Sequence, residues 1–251
     1  MASAENSTRA QSFGSIARDY DRFRPAPPAD AVAWIVPDGC ELAVDIGAGT
    51  GALTRRLLER VPKVVSVEPD ERMRTILHER APATDARAGT AEAIPVPDAS
   101  ADLVAGASMW HWVNEERAFA EIARVLRPGG TFAVMWNGAD RRAGNLSDLL
   151  GRREHESEAE RGHRRHVVTV PDGAPFREPE TRLFTWELPM TADEIVGLAT
   201  TYSPVIALSA DERADFVERL HEIVRTAPGF AESNTMIVPM RCFCWRTTRT
   251  A

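Results

Sequence analysis

Asp45, the glycines at 47, 49 and 51, and Glu68 are the residues whose types and spacing point to chemistry. In Val44-Asp45-Ile46-Gly47-Ala48-Gly49-Thr50-Gly51 an apolar run ends in an acid and three alternating glycines. Glycine at such a turn lets the backbone take conformations that a side chain forbids, and lets a ligand reach the amides with no Cβ in the way. Gly47-Ala-Gly49-Thr-Gly51-Ala52 satisfies the G-x-G-x-x-G/A pattern of a dinucleotide-binding turn, with Glu68 as the ribose acid. The same glycines also fit a turn that only packs a strand on a helix. Asp45 weighs between ligands: a carboxylate beside the turn is badly placed for a pyrophosphate and well placed for an ammonium group.

Such a turn needs a strand before it and a helix after it. Leu42 to Ile46 is strand-like, and Leu53, Leu57, Leu58 and Val61 recur at the spacing of one helical face. The alternation continues. Val64 to Val67 predicts a buried strand, Asp70 caps a helix carrying Met73, Ile76 and Leu77, and a weaker strand lies near Thr84 to Ala88. Leu103 to Ala107 predicts another strand, followed by a helix with Phe119, Ile122, Ala123 and Leu126 on one face, stopped by Arg127-Pro128-Gly129-Gly130. Thr131 to Trp136, Arg182 to Leu188 and Met236 to Trp245 complete the predicted strands. Between the last two, Thr191-Ala-Asp-Glu194 and Ser209-Ala-Asp-Glu212 are capping boxes, the second opening a helix with Phe216, Leu220, Ile223 and Val224 on one face. Upstream, Phe13, Ile16 and Tyr20 mark a short helix broken by Arg24-Pro25-Ala26-Pro27-Pro28, and Ala29 to Val36 forms a second. This rhythm implies a mostly parallel, doubly wound α/β sheet with ligands at the carboxyl ends of its strands.

A length of 251 residues suits one large α/β domain. We divide it into 1–137, N-terminal helices and cofactor-binding core; 138–180, a charged insert placed to act as a lid; and 181–251, strands and helices completing the same sheet. The net charge of −7 weighs against nucleic acid as a partner. Three cysteines, Cys40, Cys242 and Cys244, make neither a disulfide framework nor a zinc knuckle. His155, His163 and His166 lie in a charged stretch without the carboxylate pattern of a metal site, so no metal is expected. Met1 to Gln11 is polar and no apolar run is long enough to span a bilayer, so the expected setting is cytoplasmic, with no membrane partner.

Four stretches in order resemble a known family. Val44 to Gly51 and Val65-Ser-Val-Glu68-Pro69-Asp70 are similar to the first two motifs of class I S-adenosylmethionine-dependent methyltransferases. Gly89 to Val104 and Phe119 to Gly130 resemble their third and last core motifs, and Phe13 to Pro25 resembles the lead-in of the small-molecule branch. The resemblance implies a Rossmann-like, seven-stranded sheet ending in an antiparallel pair, with S-adenosylmethionine as cofactor. It implies that Asp45 and the backbone of Gly47, Ala48 and Gly49 face the methionine part, and that Glu68 accepts both ribose hydroxyls. Pro69 and Met73 would pack on the adenine, and Ala91 would offer its amide to the ring. Where the family often has an aspartate, Thr90 has only a hydroxyl to accept the adenine amino group, and Glu92 would share that contact. Tyr20 and Arg24 resemble residues that close over the cofactor, Arg24 pairing with its carboxylate.

Ser108-Met-Trp-His-Trp-Val113 follows the fourth strand, which puts Ser108 beside the cofactor and Trp110 and Trp112 on an apolar wall near the methyl group. Aromatic faces favour a cationic sulfonium. His111, with a reference pKa of about 6.5, is the candidate base for a hydroxyl or amine nucleophile, and Asn137 the candidate for orienting the acceptor. The expected activity is methyl transfer to a small-molecule O-, N- or C-nucleophile. A nicotinamide-dependent oxidoreductase and a catalytically inactive S-adenosylmethionine-binding protein are the alternatives.

Overall fold

The computed structural model describes residues 16–140, 168–227 and 234–250. Two short helices open it, α1 (Ala17–Phe23) and α2 (Ala29–Ile35), separated by the proline run in which a helix cannot continue. Then β1 (Leu42–Ile46) enters the glycine turn and α3 (Ala52–Leu58), β2 (Lys63–Val67) leads to α4 (Glu71–Arg80), and β3 (Asp85–Arg87) precedes β4 (Ala101–Ala107). A single 3-10 turn, Trp110–Trp112, joins β4 to α5 (Glu115–Val125), which feeds β5 (Leu126–Ala139). The C-terminal part supplies β6 (Glu180–Met190), α6 (Ala192–Thr200), α7 (Ser203–Ile206), α8 (Ala210–Thr226) and β7 (Met236–Thr248).

The seven strands form one sheet in the order β3-β2-β1-β4-β5-β7-β6. The first five pair in parallel, and β7 lies antiparallel between β5 and β6. This is the expected doubly wound sheet with its antiparallel pair. The winding reverses between β1 and β4, so the crevice for a ligand opens beyond the carboxyl ends of those two strands.

Strand alternation divides the core into two faces. Val44, Ile46, Val104, Phe132 and Val134 pack with Phe119 and Ile122 of α5. Ala43, Leu103, Ala105, Ala133 and Met135 pack with Val32 and Ile35 of α2 and Leu53 and Leu57 of α3. Cys242 and Cys244 join this second face, with their sulfurs 3.7 Å apart, and are core. A third cluster binds α6 and α8 to the far ends of β5 and β7 through Ile195, Leu198, Leu220, Val224, Val238 and Met240. Both capping boxes form as expected.

Three expectations need correction. Helix α5 stops at Val125, and Leu126 is already strand, paired with Ala101. Arg127 to Gly130 is therefore an irregular strand start rather than a helix stop, with Gly129 at φ +82°. Ile223 is 44 % exposed, because α8 buries only the narrower stripe through Leu220 and Val224. Of the expected lid 138–180, residues 138–140 and 168–180 fall within the described residues; 141–167, with His155, His163 and His166, and Phe13 lie outside them.

Helix α1 docks on α6 through one close contact. A Cβ added to Gly197 would lie 2.4 Å from the Phe23 ring. Gly197→Ala should therefore push Phe23 out of its seat and loosen α1, at a cost of about 1–3 kcal/mol. Hydrogen exchange would show it: faster exchange across 17–23 with β1 and β4 unchanged is expected, and uniform protection would mean that α1 does not depend on this contact.

Candidate functional site

The glycine turn takes the backbone conformations its composition predicts, with φ of +62° at Gly47, +57° at Gly49 and +89° at Gly51. Each glycine has a separate reason. A Cβ on Gly47 would meet Met109 at 2.9 Å, and one on Gly51 would meet Leu77 at 2.5 Å, whereas one on Gly49 would meet nothing within 4 Å. The open side of the turn is thus at Gly49. The Ala48 amide donates to the Val67 carbonyl at 3.1 Å, pinning the turn to the end of β2. Glu68 completes that end: one carboxylate oxygen accepts the Gly49 amide at 2.9 Å and the other the Asp70 amide at 3.0 Å. Burial raises its pKa, against the pull of these two amides.

Asp45 lies beneath the turn, wholly buried, on the face that α3 covers. Its Oδ2 accepts the Thr54 hydroxyl at 2.6 Å, and Thr54, Ser66 and Thr84 continue as a buried hydroxyl chain, with links of 2.9 and 2.8 Å, ending on the Val64 carbonyl. Its Oδ1 is buried with no partner among the described residues. Removal from water pushes the Asp45 carboxyl up to about 7, the Glu68 charge adds to this, and the Thr54 hydrogen bonds oppose it. A buried carboxylate with a vacant lone pair is costly unless a cation meets it. An ammonium group would meet that need, so the chemistry of these residues fits a cofactor with an amino-acid end and a ribose.

The rim comes from the loop after β4. Ser108 stands at φ +56°, a left-handed conformation unfavourable for a residue with a side chain, held by its amide donating to Met135 O at 2.7 Å. Met109 then folds back over Gly47 and Gly106. The two tryptophans part company. Trp110 is 2 % exposed, its ring 5.5 Å from Phe119 and 5.1 Å from Phe132, so it belongs to the core and not to a pocket wall. Trp112 is half-buried, and the exposed His111 ring lies 4.6 Å from it.

On the adenine side, Thr90 and Ala93 form a two-way backbone bridge around the buried Ala91, and Pro69 is exposed. Two residues expected here are engaged elsewhere. The Glu92 carboxylate accepts the Asn114 amide at 2.7 Å at the start of α5, and Met73 packs with Ala17, Ile76 and Tyr20 between α4 and α1.

Helix α1 is clamped to α3, α4 and α6 by groups that local sequence patterns did not mark. Asp21 bridges Arg55 of α3 at 3.2 Å and Arg80 of α4 at 2.7 Å, and Arg55 also donates to the Thr50 carbonyl of the glycine turn. At its far end, Arg24 donates to Thr201 and lies over the rings of Tyr20 and Tyr202. Asn137, at the end of β5, donates to the Pro25 carbonyl at 2.6 Å, which turns its Oδ1 away, buried and without a partner. Among the described residues no group of three or more His, Cys, Asp or Glu side chains could hold a metal ion, and no helix is long and apolar enough to cross a membrane.

Residues 44–134, from β1 into β5, match the family model of a methyltransferase domain. An uncharacterized methyltransferase of Mycobacterium tuberculosis is 38% identical over 240 residues, which span 94% of this chain and 95% of that protein. An uncharacterized methyltransferase of Schizosaccharomyces pombe is 30% identical over 227 residues, 87% of this chain and 89% of that protein. Among solved structures, a protein from Anaeromyxobacter dehalogenans assigned as a type II methyltransferase superposes with a TM-score of 0.68 at 25% identity, over 90% of this chain and 98% of that one. These relatives remove the nicotinamide-dependent alternative. The chain belongs to the class I S-adenosylmethionine-dependent methyltransferases, with S-adenosylmethionine as its cofactor.

Proposed function

We propose that this methyltransferase acts in the cytoplasm on a small-molecule acceptor with an O, N or C nucleophile, and that it works mainly by positioning. Bound S-adenosylmethionine supplies a methyl group already activated by its sulfonium, so the protein has to align the acceptor and exclude water; such alignment is worth on the order of several kcal/mol. In this reading Asp45 receives the ammonium and the backbone of Gly47, Ala48 and Gly49 packs along the methionine part, with Ser108 beside it. Glu68 takes the ribose hydroxyls, and Pro69, Thr90 and Ala91 the adenine. Tyr20 and Arg24 close over the cofactor, Arg24 facing its carboxylate. The carrying observation is the unpartnered Oδ1 of a wholly buried Asp45 under the glycine turn.

Met109, Trp112 and Asn137 are the acceptor side of this reading. Its support is the half-buried indole of Trp112 beside His111, and an Asn137 oxygen that a hydroxyl or amine donor would satisfy. His111 is the proposed base. Its exposure lets it exchange a proton with solvent between turnovers. His111→Ala should lower turnover about a hundredfold at unchanged cofactor affinity; turnover near the native value removes it from the mechanism.

Calorimetric titration with S-adenosylmethionine, on the native chain and on Asp45→Asn, tests the residue roles on the cofactor side, and equal affinity for the two would sink them. Mass spectrometry of a metabolite extract incubated with the protein and an isotopically labelled methyl donor then names the acceptor. Label appearing only on a macromolecule would overturn the small-molecule reading.

A further inference from the structure

Arg24 sits in a slot built by two distant parts of the chain. Its Nε donates to the Thr201 hydroxyl at 2.9 Å and its Nη2 to the Thr201 carbonyl at 2.9 Å. The guanidinium lies over the Tyr20 ring at 5.1 Å and the Tyr202 ring at 4.3 Å. Thr201 is wholly buried at the end of α6, and its hydroxyl proton is committed to the Leu198 carbonyl at 2.6 Å, so its oxygen can only accept from Arg24. The planar cation is thus held at one edge by two hydrogen bonds and at its faces by aromatic rings, with Nη1 and the second N–H of Nη2 left over. Nearby, Arg55 and Arg80 both pair with Asp21 of α1, whereas Arg24 forms no ion pair among the described residues. A half-buried, oriented guanidinium without a carboxylate partner among the described residues is prepared for an anion.

We propose that Thr201 is a positioning residue for the cofactor: it aims Arg24 at the methionine carboxylate and so makes α6 part of the cofactor site. This rests on the reading that Arg24 meets that carboxylate. Neither residue lies within the stretch 44–134 that matches the methyltransferase domain, so carboxylate recognition is assembled from the end of α1 and the end of α6. The consequence is a mechanical link, because α6 packs on α8 and on the end of β5 where the acceptor side lies.

The test is calorimetric binding of S-adenosylmethionine and of its decarboxylated analogue, which differ only in the carboxylate. Thr201→Val keeps the shape and removes the hydroxyl; about a tenfold loss for S-adenosylmethionine is expected, with less than a twofold change for the analogue. Thr201→Ser restores the hydroxyl and should restore binding. Arg24→Gln should show the same selectivity with a larger loss. Equal losses for both ligands in Thr201→Val, or none, overturn the proposal while a selective Arg24→Gln leaves the underlying reading intact. If Arg24→Gln weakens both ligands equally, that reading fails and the proposal fails with it.

Discussion

Asp45→Asn is expected to lower affinity for S-adenosylmethionine several-hundredfold at pH 8, on the order of the 3–5 kcal/mol that breaking a buried ion pair costs, while making the cofactor-free protein more stable at that pH. Both effects come from one carboxylate. In the native protein Oδ2 is held by Thr54 and Oδ1 has no partner, so an ionised Asp45 is poorly compensated until a cation arrives. Burial accordingly pushes its pKa from 3.8 up to about 7. Between those values the folded protein keeps a proton that the unfolded chain has released. Stability therefore falls as pH rises through that window and levels off above about 7. Asparagine keeps an oxygen for Thr54 but places an amide NH2 where the ammonium should sit. Thermal unfolding from pH 4 to 8 should show a flatter profile for Asp45→Asn than for the native chain, and calorimetry should show tighter native cofactor binding as pH rises through 7. Parallel profiles, or an unchanged dissociation constant, would remove Asp45 from the ammonium contact.

The inner parallel strands β1, β2 and β4 were legible because they are buried on both faces and so read as short apolar runs, as Val44, Val65 and Val104 illustrate, whereas the edge strand β3, Asp85–Arg87, is exposed or half-buried and gave the weaker signal. Helix starts were legible where the signal is local: Asp70, Thr191 and Ser209 cap their own helices through residues two or three positions on. The misread residues have partners that local patterns do not encode. Leu126 keeps the apolar spacing of α5, yet reaches the same core from the start of a strand. Trp110 and Trp112 are two apart, which is one face of a strand. In a 3-10 turn of three residues the same spacing sends the Trp110 ring into the core and leaves Trp112 half-buried beside His111. Glu92 was free to face an adenine until the fold brought the Asn114 amide to it. Asp21 and Arg24 follow the same logic, since their partners stand 34 and 177 residues away. No window of sequence contains such a pair, so Asp21 and Thr201 went unmarked, and Arg24 was marked only by the family resemblance.

The larger loss is expected from Glu68→Gln, about a thousandfold in affinity for S-adenosylmethionine, because two charge-assisted contacts go at once. The carboxylate is 8 % exposed and already accepts two amides, from Gly49 and Asp70, one on each oxygen. That leaves one further lone pair per oxygen, the number two ribose hydroxyls require. Glutamine offers one oxygen, and its NH2 must face either the Gly49 or the Asp70 N–H, donor against donor. The charge itself matters little for folding: burial raises the native pKa, so ionised Glu68 is not a source of stability, and the unfolding free energy should fall only by what one lost amide contact costs, about 1–3 kcal/mol, with a matching drop in the midpoint. Affinity and stability therefore separate a ribose acceptor from a mere staple of the glycine turn. A cofactor analogue lacking the 2′-hydroxyl sharpens the distinction. It should bind the native chain about tenfold more weakly than S-adenosylmethionine does, and show no further difference on Glu68→Gln. If Glu68→Gln lowers the midpoint yet binds both compounds as the native chain does, the carboxylate holds the turn and does nothing for the ribose.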